Sequence, residues 1–485
     1  MASSIDPSNR KSSLASTAWY IFRLGFGLFS LLGLWLSVAV KNGELRARDT
    51  EEEKQELAAA QKKFWSLDRE PLPGFQHAFF KTRTGISLHY IVNSRSGSST
   101  MPKNVAVFIH GFPDSFVLWR HVLQSSELLR HHVIVAVDLP GYGGSDSLPA
   151  YGPYEVLETL TEFILGIRAQ FLQENKRVVV VTHDWGALIG ARLAAEARGL
   201  ADHWVITSGI IPPLTASNAQ SKFLLAKQML RTWKSSPLSI GLLKNGLNAL
   251  KPVIGQFKRS FYIFCFNLPW PLTNTFATFG NYWFLRVLHD LGKGPRSRSD
   301  NQGKAVSRLS IKEAGEFMAI STGPGLAQLQ QYGDLKYGES VRKRLGDRGM
   351  SEKIRLYREG LFLGEWQKSL EITAALYELS STTTDSFLSH TAPKGSLKAP
   401  ATFILGEHDP AFDKRLALDN ARDYLAKGSQ VLMVKDAGHW LPLEPTGRRV
   451  LEKTVLWALR DRATATQGEQ TPFATMSDVK IIERI

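Results

Sequence analysis

The sequence predicts an α/β fold in which a mostly parallel sheet carries helices on both faces. Two observations lead there. From residue 104 onward, short apolar runs alternate with helix-compatible segments, and strands buried on both faces read as continuous hydrophobic runs. One such run, residues 177–181 (Arg-Val-Val-Val-Val), passes through Thr182-His183-Asp184-Trp185-Gly186 into a small-residue stretch containing Ala187, Gly190, Ala191 and Ala194. A buried strand that becomes a helix almost at once, with glycines where the two must pack closely, is a sharp turn that lifts its central side chain above the sheet edge. Here that side chain is an aspartate.

The chain is 485 residues long, enough for one large α/β domain with an insertion, or for two domains. Its net charge is +14 and its pI near 9.6. No nucleic-acid-binding motif accompanies that charge, so a basic exterior or a membrane-adjacent face is the better reading, with no nucleic-acid partner. The single cysteine, Cys265, excludes an internal disulfide, and there is no Asn-x-Ser/Thr sequon. Both fit a reducing, cytosol-facing setting.

In chain order, residues 1–17 are polar and read as disordered. Residues 18–40 are apolar except for Arg23, long enough for a bilayer if Arg23 snorkels and Trp19 and Tyr20 lie at the interface. The apolar core is long for a signal peptide and no convincing Ala-x-Ala site follows, so a permanent single-pass anchor is expected. Arg10 and Lys11 on one side face Lys41, Arg46 and Arg48 on the other, which leaves orientation open; an endoplasmic reticulum location with the catalytic domain toward the cytosol is the working expectation. Residues 41–71 read as a charged helical linker. Residues 76–92, with Gly85 at a turn, suggest an antiparallel hairpin. Strands are expected at 105–109, 133–137, 178–181, 204–207, 402–405 and 431–434, with helices beginning near Phe116, Glu155, Ala187 and Gly447. This divides the α/β core into 72–211 and 397–463, leaving 464–485 as a C-terminal tail. Between them, residues 212–396 are helix-like and aromatic, a lid inserted between the sixth and seventh strands over the sheet's carboxyl edge. It holds two basic stretches, 292–308 and 338–349, expected as surface loops.

Four stretches carry chemistry. Asp184, at the sharp turn, is a carboxylate placed to attack carbon and form an ester. His110-Gly111-Phe112-Pro113-Asp114 follows the strand at 105–109; its Phe112 amide and the Trp185 amide are the expected oxyanion-hole donors. His439, in Gly438-His439-Trp440 beyond the strand at 431–434, is the expected base that activates water against the ester. Asp409, in Gly406-Glu407-His408-Asp409-Pro410 after the strand at 402–405, is the expected partner of that imidazole, with Glu407 and Asp413 as competitors. His110 and His183 are expected beside the site without reacting. The loop from Asp138 to Asp146 is read as architectural.

These motifs resemble the α/β-hydrolase epoxide hydrolases: an aspartate turn reading His-Asp-Trp-Gly, a His-Gly-Phe-Pro loop and a Gly-His-Trp histidine, over roughly residues 72–463. The resemblance implies the α/β-hydrolase fold and opening of epoxides by the aspartate, then hydrolysis of the ester to a diol. It implies no metal and no organic cofactor. It also implies lid tyrosines that hydrogen-bond the departing oxygen, since a strained ether leaves more readily with an acid of pKa near 10 at hand. Tyr262, in Tyr-Ile-Phe-Cys-Phe-Asn-Leu-Pro, matches the first tyrosine motif. For the second, the segment at 372–377 is similar to the family's, but the matching position holds Leu379; either Tyr377 substitutes for it or the lid uses one tyrosine. The anchor resembles that of membrane-bound members, and the aromatic lid suggests a lipophilic epoxide. Haloalkane dehalogenases use the same aspartate and histidine, and are set apart by Phe112 where they usually carry Asn in the oxyanion loop. A catalytically silent, membrane-tethered binding protein is the remaining alternative. A serine esterase is excluded by the absence of serine at the turn.

Overall fold

A computed structural model describes residues 7–42, 48–93, 104–173, 176–292, 310–381, 392–460 and 472–485. Nine strands form one sheet in the order β1-β2-β4-β3-β5-β6-β7-β8-β9. They are β1 (Gln76–Lys81), β2 (Ser87–Val92), β3 (Asn104–Ile109), β4 (His132–Val137), β5 (Val178–His183), β6 (His203–Thr207), β7 (Ala401–Gly406), β8 (Gln430–Val434) and β9 (Val479–Arg484). The sheet is parallel from β4 through β3 and β5 to β8, and antiparallel at β1/β2, β2/β4 and β8/β9. Every residue of β3, β5 and β7 is buried. The four valines of β5 are wholly buried, each contributing roughly 1.5 kcal/mol or more by leaving water. Two hydrophobic clusters cover the two faces, which is why the strands read as unbroken apolar runs.

All eight strands expected from the sequence are present. The ninth, β9, falls within the stretch expected as a tail: Val479, Ile481 and Glu483 alternate with more exposed residues, and its backbone pairs antiparallel with β8. Period-two alternation over six residues at a chain end is a weak signal, and its partner strand supplies the rest.

Between β6 and β7 the chain is helical, with Pro212–Ser235, Ile240–Arg259, Phe261–Phe266, Trp270–Gly292, Ile311–Thr322 and Leu370–Ser381 as the longer or site-bearing pieces. The segment Trp270–Gly292 is two helices joined at Gly280-Asn281-Tyr282, all with positive φ. The first expected basic loop lies outside the described residues except for Gly292. The second is not a surface loop: it contains the helix Glu339–Lys343, and Arg344 is buried, donating to the carbonyls of Tyr142 (3.1 Å) and Gly143 (2.6 Å). A guanidinium that satisfies buried carbonyls is compatible with burial where a lone charge is not.

At the other end, helix Pro7–Asn42 begins inside the stretch expected to be disordered and contains Ser16–Ala39, long and apolar enough to be a candidate membrane span. It does not project away from the domain. It runs along the inserted helices, with Leu31 and Val38 buried and Phe22 edge to face with Phe257 and Phe264. The following helix, Glu51–Trp65, is capped by a reciprocal Thr50/Glu53 box and buries Phe64 and Trp65 completely, so it belongs to the packed domain rather than to a linker.

Candidate active site

Asp184 sits between β5 and the helix Trp185–Glu196 with φ +52° and ψ −116°. A non-glycine residue in that region stores roughly 1–3 kcal/mol of strain, which the surrounding packing must hold. Two glycines make the packing possible. A Cβ on Gly186 would lie 2.3 Å from the His110 carbonyl oxygen, and one on Gly111 would lie 2.5 Å from Asp184 Oδ1. The backbone can therefore approach the carboxylate, and the Phe112 amide donates a 2.7 Å hydrogen bond to Oδ1.

The other oxygen, Oδ2, lies 3.5 Å from His439 Nε2. On the far side of the imidazole, Nδ1 is 3.0 and 2.9 Å from the two Asp409 oxygens. The competing acids stand elsewhere: Glu407 is exposed, and Asp413 caps the helix Lys414–Leu418 and pairs with Arg415. Burial lowers the His439 pKa, but the Asp409 and Asp184 carboxylates outweigh it and push it up to about 10. The histidine loop is pinned from behind, where the Ser208 hydroxyl donates to the His439 carbonyl at 2.7 Å and the Gly438 amide donates to Glu444.

His110 is held in one tautomer. Its Nε2 accepts from the Leu139 amide (2.9 Å), so Nδ1 carries the proton and donates to the Gly111 carbonyl (2.8 Å). Burial pushes its pKa down to about 4, which keeps it neutral and fixes the loop that carries Phe112. His183 points away from the Asp184 carboxylate: its Nδ1 meets the Thr207 hydroxyl at 3.1 Å, and its ring lies beside that of His439 with centroids 5.0 Å apart.

The inserted helices supply an aromatic cluster beside the site. Tyr262, on the helix Phe261–Phe266, faces Phe266, Phe284 and Tyr357. Tyr377 does not come to the site: it stands on the helix Leu370–Ser381 with 75% of its surface exposed. Its neighbours Ile372 and Leu376 are the buried ones, so the helix turns Tyr377 to solvent. The second tyrosine at the site is Tyr357, which the sequence reading missed. Its ring lies 4.7 Å from that of Trp185, 5.2 Å from Phe112 and 5.9 Å from Tyr262. Burial raises the hydroxyl pKa of both tyrosines, and the Asp184 charge raises them further, so both are neutral donors at physiological pH. Asp114, quoted in the Phe112 loop, was given no role. It is fully buried, accepts from the Trp440 indole at 2.9 Å, and so ties the Phe112 loop to the residue beside His439. Burial pushes its carboxyl up to about 7.

A sharp aspartate turn on the central parallel strand, a histidine beyond β8, its acid after β7 and helices inserted between β6 and β7 together decide the architecture. This is an α/β-hydrolase fold. Residues 106–291 match the sequence profile of the Alpha/beta hydrolase family. Epoxide hydrolase 3 of Mus musculus is 27% identical over 213 residues, 42% of this chain and 46% of that protein. The match thus spans under half the length of that relative. The haloalkane dehalogenase of Mycolicibacterium smegmatis is 40% identical over 92 residues, 19% of this chain and 29% of that one. Among solved structures, the Cif epoxide hydrolase from Acinetobacter nosocomialis superposes with a TM-score of 0.50 at 15% identity, over 86% of this chain and 98% of its own.

Proposed function

We propose that this hydrolase-fold protein converts epoxides to vicinal diols through an ester on Asp184. The observation that carries the reading is an aspartate, not a serine, at the strained turn, beneath two partly buried tyrosines and beside a histidine–aspartate pair. The epoxide hydrolase relatives agree with it.

In the first step Oδ2 attacks an epoxide carbon, since Oδ1 is occupied by the Phe112 amide. The carbon–oxygen bond breaks, and the leaving oxygen takes a proton from the Tyr262/Tyr357 pair. In the second, His439 removes a proton from water and the hydroxide adds to the ester carbonyl, whose oxygen is held by the Phe112 and Trp185 amides. Collapse releases the diol and regenerates the Asp184 carboxylate, with the proton taken from water restoring the His439 cation. The high His439 pKa fits this order. While Asp184 is anionic, the imidazole is held as its cation; esterification removes one of the two negative charges, so the cation gives its proton to the tyrosinate left by ring opening and becomes the base that activates water.

Phe112, Trp185, Phe266 and Phe284 around the tyrosines favour a lipophilic substrate. The inserted helices serve as the cap over the site, and Ser16–Ala39 anchors the chain in a membrane. Dehalogenation is the second reading, favoured by the dehalogenase relative; it gives no use to the tyrosine pair.

The test is the His439→Gln variant exposed to lipophilic epoxides and, in parallel, chloroalkanes, followed by intact and peptide mass. A substrate-sized adduct on Asp184 from epoxides is expected. An adduct from chloroalkanes alone moves the reaction to carbon–halogen cleavage. No adduct, with no diol from the wild type, leaves the silent binding protein.

A further inference from the structure

The two helices Pro212–Ser235 and Ile240–Arg259 pack on each other as a hairpin within the inserted region. Residues 212–259 hold eight Lys and Arg residues and no Asp or Glu. At the tip of this hairpin Leu238 is 97% exposed and Ile240 71%. Along the second helix Ile240, Leu247 and Ile254 recur every seven residues and are all exposed. Lys244, Lys251 and Lys258 follow each of them by four residues, and are exposed too. On a helix this places a lysine stripe about 40° round from the apolar stripe. The first helix repeats the mixture. A groove of about 310 Å³ between the two helices is walled by Phe223, Leu230 and Leu250, with Lys227, Arg231 and Lys234 around its rim. Among the described residues, none of those three cations forms an ion pair, whereas Lys222 is paired with Asp419 at 2.6 Å.

Exposed apolar residues flanked by uncompensated cations are the pattern of a helix that lies in a membrane interface of anionic lipid. The hairpin is also joined to the candidate span. Trp19, Phe22 and Phe26 of the N-terminal helix pack on Phe257, in the last turn of Ile240–Arg259. Those three residues lie in the N-terminal half of the candidate span, so the hairpin stands beside the end at which that helix would leave the bilayer.

We propose that the hairpin 212–259 docks on an anionic lipid bilayer, its apolar tip entering the acyl boundary and Lys227, Arg231 and Lys234 binding lipid phosphates at the groove. The inference rests on the reading of Ser16–Ala39 as an anchor and is independent of the reaction. It gives the cap a second attachment to the membrane, next to the helix that carries Tyr262.

The experiment uses the full chain reconstituted in vesicles. Bimane is attached at Leu238→Cys; the native Cys265 is buried, its thiol pushed up to about 12 by burial, and stays unlabelled. Vesicles are made of phosphatidylcholine alone or with one part in four of phosphatidylserine, and depth is read by brominated-lipid and iodide quenching. Expected is quenching by brominated lipid, with protection from iodide, in the anionic vesicles, lost in high salt and in the Lys227→Glu/Arg231→Glu/Lys234→Glu background. Iodide access in both vesicle types, with the protein floating with the vesicles, overturns the hairpin proposal and keeps the anchor. Protein that fails to float overturns the anchor itself. Equal lipid quenching with and without phosphatidylserine overturns the headgroup claim. Iodide protection in detergent that rises with protein concentration replaces the bilayer with a second copy of the chain. Circular dichroism and retained substrate turnover show that the charge-reversed variant is folded.

Discussion

Tyr262 and Tyr357 meet edge to face across the candidate site, with ring centroids 5.9 Å apart and ring planes at 80°. They come from segments almost a hundred residues apart, and burial makes each a neutral donor. Two hydroxyls directed at one departing oxygen share its developing charge, and general acids of this kind are worth about 10²–10⁴ in rate. Tyr262→Phe and Tyr357→Phe are therefore each expected to slow ester formation on Asp184 by about 10²-fold. The double variant is expected to lose more than either but less than the product, because each tyrosine partly covers for the other. Tyr377→Phe is expected to change nothing. Single-turnover adduct formation in the His439→Gln background measures all four. An unaffected Tyr357→Phe would remove Tyr357 from the mechanism.

The contrast between Tyr357 and Tyr377 shows where the sequence is legible. The core could be read because buried parallel strands and the glycines around the aspartate turn are local patterns, and the order nucleophile, acid, histidine follows from them. Phe112, Asp184, Asp409 and His439 each stand at the end of a strand whose apolar run is visible, so the sheet brings them together wherever the strands pair. Tyr357 follows no such run. It lies just past the short helix Met350–Arg355, and its only signal was being one of several tyrosines in the insertion. The position of Tyr377 was carried by resemblance to a segment whose helix turns it outward. Arg344 and β9 were hidden for the same reason: what buries or pairs them is distant in sequence.

The raised His439 pKa carries a sign. A histidine of pKa about 10 in the folded chain, against about 6.5 unfolded, stabilises the fold. That contribution is full below pH ~6.5 and is lost as pH rises to about 10. The stability difference between wild type and His439→Gln is expected to shrink across that window in denaturant titrations. Asp184→Asn removes one of the two carboxylates, so its His439 is expected to titrate at lower pH by NMR. An unchanged His439 pKa in that variant would mean that Asp409 alone sets it, and that esterification does not release the base.

Gly111 allows the Phe112 amide to reach Asp184 Oδ1, and a Cβ there would stand 2.5 Å from that oxygen. Gly111→Ala is expected to push the carboxylate off its donor and slow hydrolysis of a preformed ester by about 10²–10³-fold, the usual loss for one oxyanion donor. Rapid-quench measurement of ester decay separates this from a loss in alkylation. Decay at the wild-type rate would show that the Phe112 amide positions the resting carboxylate and no more.

Asp49 lies between the apolar helix and Glu51–Trp65, and fastens both to the kinked lid segment. Its carboxylate accepts from Asn281 (2.7 Å) and Arg348 (2.7 Å) and pairs with Arg286. Burial raises its pKa, but the hydrogen bonds and the charges of Arg348 and Arg286 prevail and leave it below the usual carboxylate range. A depressed carboxylate stabilises the fold above its unfolded pKa of ~3.9, and the contribution disappears as pH falls through the lower folded value. Asp49→Asn keeps the shape and removes the charge. It is expected to destabilise the chain by about 1–2 kcal/mol at pH 7, with the difference from wild type vanishing in strong acid. Denaturant midpoints at the two pH values check both halves. A loss that persisted unchanged in acid would assign the effect to the altered hydrogen bonds rather than to the charge.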